Sequence, residues 1–139
     1  RTTEGATLEA DFKGRLAAIE TLEAGLDPLL EARIQRVRDR IRTNLEETID
    51  RSALDEGRFE QEVLYYIEKM DVSEERTRLT AHLAYFREIM ETGENQGKKL
   101  GFVAQEMGRE INTLGSKAND AELQRIVVQM KDELEKIKD

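Results

Sequence analysis

The sequence predicts an all-α fold of long antiparallel helical hairpins. Apolar residues recur at spacings of three and four along the 139 residues, which is the period of one helix face. No stretch alternates convincingly with a period of two, so we expect little or no sheet. Charged residues make up 37% of the chain and aromatic residues 5%, a composition typical of long exposed helices. The narrow apolar stripes resemble those of coiled coils, and such helices need partners, so we expect a homo-oligomer.

Start and stop signals delimit the first three helices. The first is predicted over about residues 5–24, with Gly25 as its stop. Asp27-Pro28 predicts the start of a second helix that runs to about residue 50. Asp55 is the predicted cap of the third helix. The apolar stripes are Leu8, Phe12, Leu16 and Ile19, then Leu30, Ile34, Val37, Ile41 and Leu45, then Phe59, Val63, Ile67 and Met70.

Three further helices are predicted in the second half. The fourth covers about residues 73–92, and the fifth begins near Lys98. Gly115-Ser116 is expected to end the fifth helix, and Asn119 or Asp120 to cap the sixth. Their stripes are Leu79, Leu83, Phe86 and Met90, then Leu100, Val103, Met107, Ile111 and Leu114, then Leu123, Val127, Met130, Leu134 and Ile137.

Composition excludes several classes of site. The chain has no cysteine, so disulfides, zinc–thiolate sites and thiol nucleophiles are excluded. No apolar run has the length of a membrane span and no signal sequence opens the chain, so we expect a soluble cytoplasmic protein. The net charge of −8 argues against a nonspecific nucleic-acid coat. A local basic patch can still contact RNA, and an acidic centre can hold a divalent cation.

Two carboxylates on the fifth helix are candidates for metal chemistry. Glu106 and Glu110 are four residues apart and so lie one turn apart on one face. Two carboxylates in this position could bind a hard divalent cation for phosphoryl chemistry. The alternative is a solvated helix face with an ion pair.

His82 is the only histidine. It follows Glu75 by two helical turns, and both border an apolar stripe. Imidazole there could remove the proton of a ribose 2′-hydroxyl or bind a metal ion. The alternative is a boundary histidine that packs on Phe86.

The second helix carries the densest basic cluster. Guanidinium groups match phosphate oxygens well, so we predict RNA contacts by Arg33, Arg36 and Arg40. The same arginines, with Arg38 and Arg42, could instead pair with glutamates of a neighbouring helix, as flanking charges of a coiled coil do. The pattern favours neither interpretation.

Basic residues also surround the fifth helix. Lys98, Lys99, Arg109 and Lys117 are candidate RNA contacts, and the alternatives are a solvated face or a subunit contact. The turn at 115–117 lacks the glycine spacing of a nucleotide-binding loop, which excludes that interpretation. Aromatic side chains on which bases could stack are scarce. The candidates are Tyr65, Tyr66 and Tyr85, and their alternative role is packing in the core.

Two long motifs carry a family resemblance. Residues 97–117 read GKKLGFVAQEMGREINTLGSK, and Asp120-Ala121-Glu122 follows. The segment 71–82 reads DVSEERTRLTAH. These resemble the motifs G-R/K-K-L-x-F-x-x-Q-E-x-N-R-E-x-N-T-x-G-S-K and D-I-x-E-E-x-x-R-L-x-S-H of the YicC family of bacterial endoribonucleases. Weaker similarity extends to 54–63 and 1–5, whereas Gly101, Gly108 and Ala81 depart from the pattern.

The resemblance implies a metal-dependent endoribonuclease that uses manganese or magnesium and acts as a homo-oligomer, a hexameric ring in the full-length protein. The residues that match its motifs are assigned as catalytic (His82, Glu106 and Glu110) and as metal ligands (the same three with Glu75). The alternative is a helical oligomerisation or RNA-binding scaffold, with catalysis elsewhere in the full-length protein.

The motif positions divide the chain into two regions. Residues 1–92 form a helical hairpin region with the arginine-rich second helix, and residues 93–139 form the C-terminal region that carries the long motif. The resemblance further implies a piece of a longer protein, whose N-terminal domain is not part of this sequence.

Overall fold

The computed structural model describes residues 2–48, 55–92, 97–118 and 120–138. No strand occurs in these ranges, which confirms the predicted all-α class. No helix in them is long and apolar enough to cross a membrane. The helices are α1 (Thr2–Ala24), α2 (Leu26–Thr48), α3 (Glu56–Met70), α4 (Ser73–Glu91), α5 (Gly97–Lys117) and α6 (Ala121–Lys138).

The helices group into two compact units. One unit consists of Arg1–Leu26 and Val72–Asp139, and the other of Asp27–Asp71. The chain therefore leaves the first unit after α1 and returns to it at α4. The division into 1–92 and 93–139 rests on motif positions and stays a prediction.

The first unit is a four-helix bundle. Its helices pack in the cyclic order α1, α4, α5, α6, and the residues that meet across each contact show that neighbours run antiparallel. At the α1–α4 contact, the Phe12 and Phe86 rings meet edge to face with centroids 5.9 Å apart, a favoured aromatic geometry. The fully buried side chains of the core include Leu16, Ile19, Leu79, Leu83, Met107, Ile111, Leu114, Leu123 and Met130.

The second unit is the antiparallel hairpin of α2 and α3. Val37, Ile41, Phe59 and Val63 form its small apolar core. Charged side chains flank this core, and their ion pairs join α2 to α3 in a single register. The ion pairs are Arg38–Glu60 at 2.9 Å and Arg42–Glu56 at 3.3 Å.

Local signals account for most helix ends. Asp55 caps α3 as predicted, because its Oδ1 accepts a hydrogen bond from the Gly57 N–H at 2.9 Å. Asp120 does the same for Glu122 at the start of α6, also at 2.9 Å. Helix α2 begins at Leu26, one residue before the predicted cap, a difference within the usual uncertainty of helix ends. Three other predicted positions lie outside the described residues, namely Asp50, Gly93 and Asn119.

The predicted end of α5 at Gly115-Ser116 is wrong, because the helix continues to Lys117. Packing explains the glycine. A Cβ at position 115 would lie 3.0 Å from Val127 Cγ1 of α6, so the missing side chain lets α5 and α6 approach closely. At Gly108, which departs from the family pattern, a Cβ would lie 3.4 Å from Leu134 Cδ2, an ordinary contact.

Two glycine substitutions test this packing. Gly14 lies inside α1 and a Cβ there would meet nothing within 4 Å. Gly14→Ala is expected to raise the free energy of unfolding by about 0.5–1 kcal/mol, the ordinary helix gain. Gly115→Ala has the same gain, but it is offset by the contact with Val127, so it is expected to be the less stable variant. Urea denaturation compares them, and equal stabilisation would contradict the packing role of Gly115.

Candidate active site at the α4–α5 interface

The antiparallel contact of α4 and α5 brings two acid–base pairs together. Glu75 of α4 meets Lys117 of α5, with 3.1 Å between Oε2 and Nζ. His82 of α4 meets Glu110 of α5, with 2.5 Å between Nδ1 and Oε1. The members of each helix are seven residues apart, about two turns. One register of the two helices therefore forms both pairs.

The His82–Glu110 pair has the geometry of an oriented base. The Glu110 side chain is only 7% exposed, whereas that of His82 is 27% exposed. An ionised carboxylate can only accept hydrogen bonds, so Nδ1 of His82 donates to Glu110. In the neutral imidazole this leaves Nε2 as the acceptor. A carboxylate that fixes the tautomer of a partly exposed imidazole is the arrangement used to hold a general base.

Glu75 lies deeper than its partner Lys117. Its side chain is 6% exposed, against 37% for the lysine. The second carboxylate oxygen, Oε1, is buried and has no hydrogen-bond partner among the described residues. Such an oxygen retains acceptor capacity, and burial makes that capacity costly to leave unused.

Glu106 lies one turn before Glu110 on α5, as the spacing predicts, but in a different environment. The structure places it beside Arg109, with 3.5 Å between Oε1 and Nη1. The Arg109 side chain is 75% exposed, so this is a surface ion pair, which contributes little to stability.

The predicted metal ligands do not converge into one cluster. Glu75 and His82 face different partners two turns apart, and Glu110 bonds to His82 itself. Within the described ranges, no three histidine, aspartate or glutamate side chains lie close enough together to hold an ion. Resident divalent cations usually take three or more protein ligands or complete their shell with substrate and water. These side chains alone do not fit a complete metal site, and the metal stays a prediction.

The arginine cluster of α2 divides into structural and exposed members. Arg38 and Arg42 pair with glutamates of α3 and lie over the Phe59 ring, with the Arg42 Cζ 4.2 Å from its centroid.

The three predicted RNA contacts of α2 differ in exposure. Arg33 donates from Nε to the Met70 sulfur of α3 at 3.1 Å, and its Nη1 is buried. Arg36 and Arg40 are exposed. The structure thus favours structural pairing for two arginines and leaves two of the predicted RNA contacts accessible.

The basic residues of α5 lie at separate places along the helix. Lys98 and Lys99 are exposed in its first turn. Lys98 is twelve residues before Glu110, which corresponds to about 18 Å along a helix. Only Lys117 belongs to the acid–base pairs described above.

Sequence reasoning named all four residues of the two pairs but missed their pairing. A signal was present. Glu75 and His82 are an acid and then a base seven residues apart, and Glu110 and Lys117 repeat that order. When two such helices run antiparallel, each acid meets a base.

A double-mutant cycle tests whether the His82–Glu110 contact is a real interaction. His82→Ala leaves the Glu110 carboxylate buried without its partner, which is expected to lower the free energy of unfolding by about 1–3 kcal/mol. The cycle with Glu110→Ala is expected to show a coupling energy of about 0.5–3 kcal/mol. Chemical denaturation provides the measurement.

The control cycle uses the Arg78–Glu74 pair of α4. These groups are 2.8 Å apart, but their side chains are 54% and 74% exposed. An exposed pair of this spacing is expected to couple by about 0.5 kcal/mol or less. A His82–Glu110 coupling no larger than the control would contradict the contact.

Comparison with known proteins places the chain in a family. The model of the family described as "Endoribonuclease YicC-like, C-terminal" matches residues 26–139. The chain is 31% identical over 140 residues to the probable endoribonuclease YicC of Clostridioides difficile (strain 630). It is 32% identical over 139 residues to the probable endoribonuclease YicC of Haemophilus influenzae (strain ATCC 51907 / DSM 11121 / KW20 / Rd).

Both alignments include 100% of this chain and 48% of the relative. The chain thus spans about half the length of the curated relatives it matches. The match confirms the resemblance that the two long motifs predicted. The chain belongs to the YicC-like endoribonuclease family and corresponds to its C-terminal region.

Proposed function

We propose that the protein containing this chain cleaves RNA phosphodiester bonds in the cytoplasm, with His82 as general base. One observation carries the proposal: a partly exposed imidazole is fixed by a buried carboxylate at 2.5 Å. Both residues lie inside the family motifs, His82 in 71–82 and Glu110 in 97–117. The relatives that match the chain are named probable endoribonucleases, which supports RNA as the substrate.

The proposed step uses the free nitrogen of His82. Nε2 takes the proton of a ribose 2′-hydroxyl, and the resulting oxygen forms a bond to the neighbouring phosphorus. The bond from phosphorus to the 5′-oxygen breaks, that oxygen takes a proton from water, and a 2′,3′-cyclic phosphate remains. Glu110 keeps the imidazole in the required tautomer and stabilises the imidazolium that forms. General-base catalysis of this kind contributes about 10²–10⁴-fold to a rate.

Exposed basic side chains would position the strand. Arg36, Arg40, Lys98, Lys99 and Arg109 are exposed, and contacts to phosphates fix the register of a nucleic acid without reading its bases. Recognition would therefore depend more on RNA shape than on sequence. Self-association, as the predicted hexameric ring, would bring several such surfaces to one RNA.

Divalent manganese or magnesium dependence belongs to this proposal as well. Since no three donors converge in the described ranges, an ion would need further ligands from RNA or from other parts of the protein. We therefore assign no step of the reaction to it.

A second candidate is a helical scaffold that oligomerises and binds RNA while catalysis lies elsewhere. The 48% coverage of the relatives favours it, because the other half of each relative could hold the active site. Both acid–base pairs would then only stabilise the α4–α5 interface.

Cleavage by full-length variants separates these candidates. His82→Gln is expected to lower the cleavage rate of a structured RNA by about 10²–10⁴-fold, with RNA affinity and helical content retained. Glu106→Gln is expected to lose less, because Glu106 pairs with exposed Arg109. The control is Glu74→Gln, an exposed residue of the same helix as His82. Each protein is assayed with manganese, with magnesium and with a chelator.

The outcomes are distinct. Equal cleavage by His82→Gln and the parent would contradict the proposal and favour the scaffold. No cleavage by any protein, with RNA still bound, would favour a noncatalytic RNA-binding module. Loss of all cleavage in chelator would support the ion, whereas full activity in chelator would contradict it.

A further inference from the structure

Helix α3 exposes three consecutive large side chains. The exposed fractions are 55% for Leu64, 54% for Tyr65 and 39% for Tyr66. The apolar core of the hairpin is made by other residues of the helix, Phe59 and Val63, which are both 1% exposed. The tyrosines are therefore not needed for the hairpin core, and their exposure needs another explanation.

The two tyrosine rings are not equivalent. They meet nearly at right angles, at 84°, with centroids 5.5 Å apart. Lys69 Nζ lies 4.5 Å from the Tyr65 centroid and covers one face of that ring. The polar interaction with Tyr65 raises the pKa of Lys69 above its ordinary value. Perpendicular rings cannot stack two successive parallel bases, which leaves Tyr66 as the ring that can accept one.

Tyr66 borders two depressions of the hairpin surface. One is lined by Arg40 and Asn44 of α2 together with Tyr66. The other is lined by Arg58 and Tyr65 with Tyr66, and has a volume of about 460 Å³. A nucleobase on Tyr66 would thus have an arginine on each side.

We name the tyrosine surface by its five residues: Arg40, Arg58, Tyr65, Tyr66 and Lys69. Among the described residues, Arg40 and Arg58 form none of the ion pairs that join Arg38 and Arg42 to glutamates of α3.

The tyrosine surface is locally basic on an acidic chain. It carries three cationic groups, and Glu62 is the carboxylate that borders both depressions. Helical periodicity places Glu68 on the flank of α3 that Leu64 occupies. The chain as a whole has a net charge of −8. Cations beside an open aromatic face are complementary to an unpaired nucleic-acid strand, whose bases stack while its phosphates meet the charges.

We propose that the tyrosine surface binds an unpaired stretch of RNA, with one base stacked on Tyr66 and the flanking phosphates contacted by Arg40 and Arg58. The inference rests on the proposed function, since that supplies RNA as the ligand. It assigns single-strand recognition to the hairpin.

Affinity measurements on the full-length protein test the proposal. The probes are a single-stranded oligoadenylate of about 12 nucleotides, a length within the usual site size, and a duplex RNA of equal length. Tyr66→Ala is expected to weaken single-strand binding by about tenfold or more, with little change for the duplex. Tyr66→Phe keeps the ring and is expected to bind like the parent. In cleavage assays, Tyr66→Ala is expected to raise KM more than it lowers kcat.

The matched control is Leu64→Ala. Leu64 is 55% exposed on the same helix as Tyr66 but is not one of the five residues of the tyrosine surface, so its loss is expected to leave affinity and cleavage unchanged. A second readout uses the absence of tryptophan from this chain. Tyr66→Trp introduces an indole whose fluorescence should be quenched when oligoadenylate stacks on it, beyond any change seen in the parent.

Two results would overturn the proposal. One is unchanged single-strand affinity in Tyr66→Ala together with no quenching in Tyr66→Trp. The other is a lower oligomeric mass of Tyr66→Ala together with an equal loss of affinity for single-stranded and duplex RNA. That result would make the surface a contact between copies of the protein. If no variant cleaves RNA while Tyr66→Ala still binds single strands weakly, the nuclease proposal fails and this inference stands.

Discussion

The register of α4 against α5 is the constraint on which the rest of the bundle depends. Glu75 and Glu110 are both buried, and a buried carboxylate without a partner is costly. Only one antiparallel register places Lys117 beside Glu75 and His82 beside Glu110. A shift by one turn would place both carboxylates against other side chains. The pairs thus specify the register, and the apolar core supplies the free energy that holds the helices together.

The two units use charge in different ways. In the described part of the bundle, the buried Glu75 and Glu110 each pair with a base of the other helix, so these charges define the α4–α5 interface. In the hairpin, Arg38 and Arg42 spread over Phe59 and bond to glutamates at the surface. This leaves Arg40, on the same helix, exposed beside Tyr66. One arginine-rich helix therefore provides both structural contacts and accessible cations.

The features that the sequence predicted correctly depend on residues close together in the chain. Helical periodicity predicted the six helices. The caps Asp55 and Asp120 were also predicted correctly, because a cap needs only the first turn of its own helix. Gly115 was misread as a stop because its role depends on Val127 of another helix. The division of the arginines likewise depends on α3, and the partner of Glu110 depends on α4. Such contacts between helices are not visible in local patterns.

The most direct test of the central claim is the tautomer of His82, the only histidine of this chain. Long-range ¹⁵N–¹H correlation spectra of the imidazole, recorded in its neutral form, distinguish a protonated Nδ1 from a protonated Nε2. The account predicts a protonated Nδ1 that is bonded to Glu110, and a changed Nδ1 resonance in Glu110→Gln. A protonated Nε2 in the parent, or identical imidazole signals in both proteins, would contradict the pairing of His82 with Glu110 and with it the proposed base.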